Sequence, residues 1–140
     1  MYDLVVIGGI GYDVNTYPKR DNGKDLTVSQ LGGSVIYTAV PASNVSDNVG
    51  VFMVVGEDCN ESYFTELGIA THGFKKFPGK CHRFHHTYLS EDGQERTFKG
   101  DINPNIKLDM TKFPKEYLGS PRADDIKTAG ISVLINFFPC

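Results

Sequence analysis

The sequence has no concentrated positive charge. Its longest basic run is Lys75-Lys76, the formal net charge is -3 at pH 7, and the isoelectric point is about 5.7. Proteins that bind nucleic acid or an anionic membrane usually carry a basic patch or stripe. We therefore expect neither nucleic acid nor a membrane among the partners of this protein.

Long apolar runs and a paired set of cysteines are also missing. The longest apolar stretch, residues 131–138, is short against the roughly 20 residues that span a bilayer. Residues 1–4 lack the basic and apolar segments of a secretory signal. The three cysteines, Cys59, Cys81 and Cys140, stand at unrelated spacings, which argues against a disulfide framework. These features predict a cytoplasmic protein.

The composition and two apolar runs predict an α/β fold. Hydrophobic residues make up 40% and charged residues 22% of the chain, as in a globular domain. Residues 4–7 form an apolar run that Gly8-Gly9 closes, and residues 49–55 form another before Gly56. Such runs are typical of strands buried on both faces of a parallel sheet. We expect two parallel strands here and a further strand at residues 131–138.

Two segments carry hairpin signals. The first covers about residues 14–30 and turns at Asn22-Gly23, and the second covers about residues 82–99 and turns near Asp92-Gly93. Glycine and asparagine tolerate the positive φ angles of a tight hairpin turn. We expect two small β-hairpins that project from the sheet.

A helix is predicted after Gly32-Gly33. Within residues 34–45, apolar side chains recur at nearly helical spacing, namely Val35, Ala39, Ala42 and Val45. Pro41 lies inside this segment and lacks an amide hydrogen, so we expect a kink there.

A second helix, of about two turns, is predicted after Asp58. An aspartate followed three residues later by Glu61 resembles an N-terminal capping arrangement, and Gly68 stands where a C-terminal cap belongs. Tyr63, Phe64 and Leu67 are expected to face the core. Beyond Asp101 the chain is rich in Pro and Asn, and an irregular course is predicted.

The order of these features resembles the ribokinase-like (pfkB) carbohydrate kinase family from about residue 5 to residue 105. Three strings carry the resemblance, and they are GGIGYD at residues 8–13, GGSVIY at residues 32–37 and VGED at residues 55–58. The resemblance implies parallel βα layers with a small β-lid that closes over a sugar, polyol or nucleoside. It implies that Asp13, Gly32 and Gly33 contact this substrate. Many members have an Asn where this chain has Tyr37, so the identity of the substrate stays open.

One family motif has no counterpart in the sequence. Members hold their catalytic aspartate and anion-binding glycines in a Gly-x-Gly-Asp string of the carboxyl-terminal half, and no such string occurs in these 140 residues. Residues 120–140 also fit the family poorly. The resemblance therefore implies a truncated, amino-terminal part of the fold. The complete family protein uses ATP and Mg²⁺, and we expect this chain alone to bind neither and to transfer no phosphate.

The residue types allow both a binding role and a purely structural one. The Asp13 carboxylate can accept hydrogen bonds from sugar hydroxyls or can cap a loop. Gly32-Gly33 lets free amides at a helix start approach a ligand or simply makes a turn. Tyr37 can stack on a sugar ring or fill core space. The motifs favour substrate binding by Asp13, Gly32 and Gly33. For Tyr37 they favour neither the binding role nor the structural one.

A cluster of histidines offers an alternative. Cys81 and His85 would lie on one face of a strand, and His82 and His86 on the other, so at most two could bind the same zinc ion without help. Ordinary lid histidines are the favoured reading. A substrate contact from the lid, by Arg83 or His85, is a weaker hypothesis.

Two functions from different classes follow. The first is a sugar, polyol or nucleoside kinase-like protein, in which this chain positions the acceptor hydroxyl. The second is a non-catalytic ligand-binding or dimerisation module. In either case the open edges of the lid hairpins favour a homodimer through the lid, because unpaired strand edges seek a partner.

Overall fold

The computed structural model describes residues 2–118 and residues 132–135. Eight strands and two α-helices are numbered in chain order. They are β1 (Leu4–Gly9), β2 (Gly11–Asp21), β3 (Lys24–Gly32), α1 (Ser34–Ser43), β4 (Val49–Gly56), α2 (Ser62–Thr65), β5 (Ala70–Phe77), β6 (His82–Tyr88), β7 (Arg96–Asp101) and β8 (Ser132–Ile135). Two 3-10 turns, Met110–Lys112 and Lys115–Leu118, lie between β7 and β8.

The first sheet is parallel throughout, with strand order β5-β4-β1-β8. All residues of β4 are buried, as are Val5, Val6 and Ile7 of β1. The continuous apolar runs predicted this double-sided burial, and the α/β fold is confirmed. Strand β5 was not expected, because its sequence ATHGFKKF mixes polar and apolar residues at the edge of the sheet.

Helix α1 covers one face of this sheet. Val35 and Ala39 pack in one buried cluster with Val6, Val51 and Met53 of the strands. The helix ends at Ser43, before the last residue of the predicted segment. Val45, which the helical spacing included in this segment, therefore lies beyond the helix and is 86% exposed.

The opposite face of the parallel sheet is covered by Tyr117 from the second 3-10 turn. Tyr117 is fully buried and packs with Val5, Ile7 and Phe52. Its hydroxyl lies 2.7 Å from the Val51 carbonyl oxygen and 2.9 Å from that of Ala70, at a point where the register between β4 and β5 is irregular. The single O–H of this phenol is thus shared between two backbone acceptors of neighbouring strands.

The second sheet joins the two hairpins in the strand order β3-β2-β6-β7. Strands β2 and β3 pair antiparallel around the turn at Asn22-Gly23, and β6 and β7 pair antiparallel, while β2 and β6 pair parallel in the middle. The hairpins span residues 11–32 and 82–101. The hairpins therefore form a single four-stranded sheet, the lid sheet, which corresponds to the small β-lid of the predicted fold.

The second helix is shorter than predicted. Helix α2 has four residues, only Phe64 of its face is buried, and Tyr63 and Leu67 are each 40% exposed. Asp58 does not cap it. The Asp58 carboxylate accepts a hydrogen bond from the Cys81 N–H and pairs with Arg83, so a tertiary contact replaces the local one.

Several sequence predictions lie outside the described residues. These are the ends of the strand at residues 131–138, Cys140, and the poor family fit of most of residues 120–140. Within the part of the chain that the structure describes, no helix is long and apolar enough to cross a membrane.

Candidate ligand-binding site

A cavity of about 390 Å³ lies between the start of α1 and the lid sheet. Its lining residues are Asp13, Gly33, Ser34, Tyr37, Phe84, His86 and Phe98. Three of the four residues predicted to bind a substrate, Asp13, Gly33 and Tyr37, therefore line one cavity. The fourth, Gly32, lies beside Asp13. The lid sheet forms one wall of the cavity, and the start of α1 forms the other.

The Asp13 carboxylate is held from two sides. Strand β2 carries Asp13, and the Tyr37 hydroxyl of α1 donates a 2.9 Å hydrogen bond to its Oδ2 atom. A Cβ atom at Gly32 would overlap this carboxylate, so glycine is required there for close approach. The hydrogen bond to Asp13 raises the pKa of the Tyr37 phenol, and the phenol stays a donor at neutral pH. The remaining lone pairs of the carboxylate can accept ligand hydroxyls.

Gly33 brings the start of α1 close to the end of β1. Its φ of 103° lies in the left-handed region, and a Cβ atom there would stand 3.0 Å from the Gly9 carbonyl oxygen. No side chain caps the helix start. The first N–H groups of a helix have no acceptor within it, so the backbone here offers donors beside the cavity.

Two lining residues carry buried polar atoms without a partner. Among the described residues, Ser34 Oγ and His86 Nδ1 are buried and make no hydrogen bond. Buried polar atoms in native proteins are nearly always hydrogen-bonded, so each such exception needs an explanation. Both residues are among those that line the cavity, and Ser34 Oγ lies close to Gly8 of β1.

Two phenylalanines form the apolar part of the cavity. The rings of Phe84 and Phe98 lie at an interplanar angle of 13° with their centroids 6.1 Å apart, and the centroid of His86 is 5.2 Å from that of Phe98. Phe98 is 62% exposed. These rings give the cavity an open aromatic wall.

Arg83 and His85, the residues of the weaker hypothesis of a lid contact, do not line this cavity. Arg83 Nη2 lies 2.7 Å from Asp58 Oδ2, and His85 Nε2 lies 3.0 Å from Asp101 Oδ2. Neither residue lines the cavity, since side chains alternate along β6 and those of Phe84 and His86 point the other way. The sequence placed His86 among possible zinc ligands but did not show that it lines this cavity, because the pairing of Asp13 with Phe84, which fixes the face, is a long-range contact.

The cysteine and histidines of the zinc alternative are engaged separately. Cys81 is buried, and its sulfur accepts a hydrogen bond from the Gly56 N–H at 3.1 Å. His82 Nδ1 accepts one from the Asn103 N–H at 3.0 Å, and burial lowers the pKa of His82. The described residues contain no group of three or more side chains placed to hold a metal ion.

A second cavity of about 380 Å³ lies beside the start of β6. It is lined by Gly79, Lys80, Cys81, Arg83, Asp101, Ile102 and Asn103. Its charged side chains include Arg83, which pairs with Asp58, and Asp101, which pairs with Lys99 and His85. These pairs engage Arg83 and Asp101, and the residues predicted to bind a substrate line the first cavity instead, so the first cavity is the better candidate for a ligand.

Comparison with solved structures identifies the fold. Ribokinase from Giardia lamblia matches 71% of this chain at a TM-score of 0.58 and 20% identity. Fructokinases from Xylella fastidiosa and Halothermothrix orenii each match 76% of the chain, at TM-scores of 0.58 and 0.57 and identities of 18% and 16%. The chain has a ribokinase-like fold. The prediction made from the glycine-rich strings is therefore confirmed at the level of the fold.

The match covers a minor share of each of these proteins. This chain spans 33% of the Giardia ribokinase, 34% of the Xylella fructokinase and 41% of the Halothermothrix fructokinase. No family model and no curated protein sequence matches the chain. The similarity thus lies in the three-dimensional arrangement of the ribokinase-like fold.

Proposed function

We propose that the cavity at Asp13 binds a small polyhydroxylated molecule, a sugar, a polyol or a nucleoside, in a carbohydrate kinase-like protein. The observation that carries this proposal is the Asp13 carboxylate, which Tyr37 orients and Gly32 accommodates at the edge of a 390 Å³ cavity. A charged acceptor fixed in this way forms stronger hydrogen bonds to hydroxyls than a neutral one. The ribokinases and fructokinases that share the fold support the choice of ligand class.

In the complete protein, the proposed reaction is transfer of a phosphoryl group from ATP to a hydroxyl of this ligand. Such reactions depend on positioning and on charge stabilisation around the phosphoryl group. A ribokinase of this fold, from Cryptococcus neoformans, has a solved structure in complex with ADP. The residues of this chain would hold the acceptor: Asp13 binds hydroxyls, and the Gly33 turn brings helix amides near them.

We do not assign phosphoryl transfer itself to these residues. The Gly-x-Gly-Asp string does not occur in these residues, and the part of the chain that the structure describes holds no metal-binding group of three side chains. We therefore propose that ATP and Mg²⁺ act with the complete family protein and that this chain alone binds ligand without turnover. Loss of one oxyanion-stabilising donor can slow an enzyme about a hundred- to thousandfold, so loss of the whole assembly leaves no measurable rate.

Calorimetric titration against sugars, polyols and nucleosides tests the binding proposal. The parent chain is expected to bind at least one compound, and Asp13→Asn to weaken that binding about 10-fold or more, since a hydrogen bond to a charged group contributes roughly 1.5 to 3 kcal/mol. The exposed Asp47 provides the matched control as Asp47→Asn. Equal binding by the parent and Asp13→Asn, or no binding by the parent, would overturn the proposal. An ATP-consumption assay with Mg²⁺ on the same panel is expected to show no turnover.

The alternative of a pairing module has one observation in its favour. Leu26 and Val28 of β3 are 38% and 40% exposed on an edge strand of the lid sheet. Exposed apolar side chains on an unpaired edge are typical of a contact surface, which supports a homodimer through the lid. Sedimentation velocity on the parent and on a Leu26→Lys, Val28→Lys variant tests it. A parent that stays monomeric at high concentration would contradict the dimer.

A further inference from the structure

Two buried cysteines meet outside the candidate ligand-binding site. Cys59 lies between β4 and α2, and Cys81 directly precedes β6 of the lid sheet. Both are free thiols and belong to the same buried cluster. The Cys59 thiol donates a hydrogen bond to the Cys81 sulfur. Two groups that can be oxidised are therefore in direct contact, although they are far apart in the sequence.

The backbone of Gly56 holds the two cysteines together. Its N–H donates a 3.1 Å hydrogen bond to Cys81 Sγ, and its carbonyl oxygen accepts one of 3.3 Å from the Cys59 N–H. A Cβ atom at Gly56 would overlap the backbone of Cys81, so only glycine lets the two chain segments approach this closely. Two thiols held on touching backbone segments are within reach of one covalent bond.

The two cysteines lie where the parallel sheet meets the lid sheet. Residues 56–59 and residues 79–83 form this contact, which we call the junction. Glu57 N–H donates a 2.8 Å hydrogen bond to the Gly79 carbonyl oxygen, and Arg83 Nη2 lies 2.7 Å from Asp58 Oδ2. These contacts are non-covalent, so a disulfide between Cys59 and Cys81 would add a covalent link between the two sheets.

The two thiols differ in acidity. The hydrogen bond from Cys59, together with the Gly56 N–H, lowers the pKa of Cys81, although burial and the Asp58 carboxylate act to raise it. The same hydrogen bond and burial raise the pKa of Cys59. A thiolate is the form that attacks a peroxide, and a second thiol beside it can resolve the product. Cys81 is thus the attacking residue and Cys59 the resolving one.

The pair lies directly beneath exposed residues. Asp58 and Asn60 on either side of Cys59 are exposed, as is Lys80 before Cys81. Both cysteines stand in connecting segments outside the strands, and such segments open locally more readily than the central strands of a sheet. An oxidant as small as hydrogen peroxide needs only a local opening of this kind.

We propose that Cys59 and Cys81 form a reversible disulfide in response to a hydroperoxide, and that this bond locks the junction. The Cys81 thiolate attacks one peroxide oxygen, the O–O bond breaks, and a sulfenic acid and a hydroxide ion form. The Cys59 sulfur then attacks the Cys81 sulfur, the S–O bond breaks, and the oxygen leaves as water with the Cys59 proton. The two sulfurs give two electrons to the peroxide, and a dithiol reductant returns them. This inference does not depend on the ligand of the first cavity.

The first experiment maps the thiols. The reduced parent is treated with hydrogen peroxide in native buffer, free thiols are blocked with N-ethylmaleimide, and the peptides are identified by mass spectrometry. The expected product is a link between Cys59 and Cys81 that dithiothreitol reverses. Cys140→Ser is the matched control, because it removes the third cysteine and keeps the pair, and it should give the same link. Cys59→Ala should stop at a sulfenic acid on Cys81, which dimedone traps.

Two outcomes of this mapping would overturn the inference. One is a parent that keeps its thiols free at a peroxide concentration that oxidises free cysteine in the same buffer. The other is a parent in which the new link joins Cys140 instead of the pair. Both are read from the parent alone, so they decide the question even if Cys59→Ala does not fold.

The second experiment tests the lock by amide hydrogen exchange and thermal unfolding of the oxidised and the reduced parent without ligand. Exchange at residues 56–59 and 79–83 is expected to slow about 10-fold or more on oxidation, and the midpoint of thermal unfolding to rise by about 5 °C or more. Peroxide-treated Cys59→Ala should show neither change. A linked parent whose exchange at the junction stays unchanged would refute the lock.

Discussion

Gly32 lies so close to Asp13 that any side chain at position 32 would overlap the Oδ2 atom of the carboxylate. On its other side, the same oxygen accepts the hydrogen bond of the Tyr37 hydroxyl. The backbone of Gly32, which has no side chain, and the phenol of Tyr37 thus hold one carboxylate oxygen of Asp13 between β3 and α1. The second oxygen of the carboxylate, Oδ1, is therefore held in one orientation relative to the cavity.

Replacing Gly32 by alanine is expected to displace Asp13 and to weaken ligand binding about 10-fold or more. The Asp13 carboxylate is the end of a side chain that can move aside, so the free energy of unfolding is expected to fall by less than about 1 kcal/mol. Calorimetry and urea unfolding measure the two effects. Gly100→Ala is the control, because a Cβ atom there has its nearest neighbours at 3.8 Å. Unchanged affinity in Gly32→Ala would contradict the role assigned to this close approach.

Tyr37→Phe is expected to weaken ligand binding about three- to 10-fold and to change the free energy of unfolding by less than about 0.5 kcal/mol. The affinity falls because the Asp13 carboxylate loses the donor that orients it, whereas the ring is 59% exposed and contributes little to the core. Tyr63→Phe, at a partly exposed tyrosine of α2, is the control. If Tyr37→Phe binds as tightly as the parent, the phenol does not position the carboxylate.

Tyr117→Phe is expected to lower the free energy of unfolding by about 1 to 3 kcal/mol, because the carbonyl oxygens of Val51 and Ala70 lose a buried donor. Urea unfolding followed by circular dichroism measures the change, with Tyr63→Phe again as the control. A loss no larger than in the control would show that the carbonyls find other partners.

The same residue predicts a dependence of stability on alkaline pH. Burial raises the pKa of Tyr117 to about 12, against about 10 for an unfolded tyrosine. A raised pKa means that the folded chain holds the proton more tightly, so this contribution is complete below pH 10 and is lost as the pH rises toward 12. The difference in stability between the parent and Tyr117→Phe should shrink over that interval. A difference that stays constant from pH 9 to pH 12 would contradict it.

The contact between Asp58 and Arg83 predicts a dependence on acid pH. Partial burial acts to raise the pKa of Asp58, but the Cys81 N–H and the Arg83 guanidinium outweigh it and hold the pKa at about 2. The carboxylate therefore contributes stability above about pH 4, which is lost as the pH falls toward 2. Asp58→Asn should cost about 1 to 2 kcal/mol at pH 7, reduced by solvent screening, and nothing near pH 2. Asp47→Asn, at an exposed site, serves as the control, and equal losses in both variants would refute the contact.

The sequence predicted the parts of the fold that depend on local patterns. The apolar runs of β1 and β4 are typical of buried strands, and Asn22-Gly23 marked the first hairpin turn. The second helix was predicted, but its start at Asp58 was wrong, because the carboxylate has a tertiary partner 25 residues away, Arg83, that no local pattern reveals.

Only part of the candidate site could likewise be predicted from the sequence. Asp13, Gly32 and Gly33 lie in the glycine-rich strings at residues 8–13 and 32–37, so the family resemblance identified them as candidate binding residues. The sequence did not place Ser34 and His86 at this cavity, because their positions on its wall depend on the assembled structure. The parallel pairing of β2 with β6 decides which histidine of the lid faces Asp13, and no turn or spacing in the sequence specifies that pairing.

That parallel pairing gives the cavity two walls. Because β2 and β6 are neighbours in one sheet, the lid sheet supplies Asp13, Phe84, His86 and Phe98, whereas the start of α1 supplies Gly33, Ser34 and Tyr37. The hydrogen bond from Tyr37 to Asp13 joins the two walls, and a ligand that contacts both walls adds a second link. Occupancy should therefore slow amide hydrogen exchange across β6 and the first turn of α1 together, while β5 at the far edge of the other sheet stays unaffected.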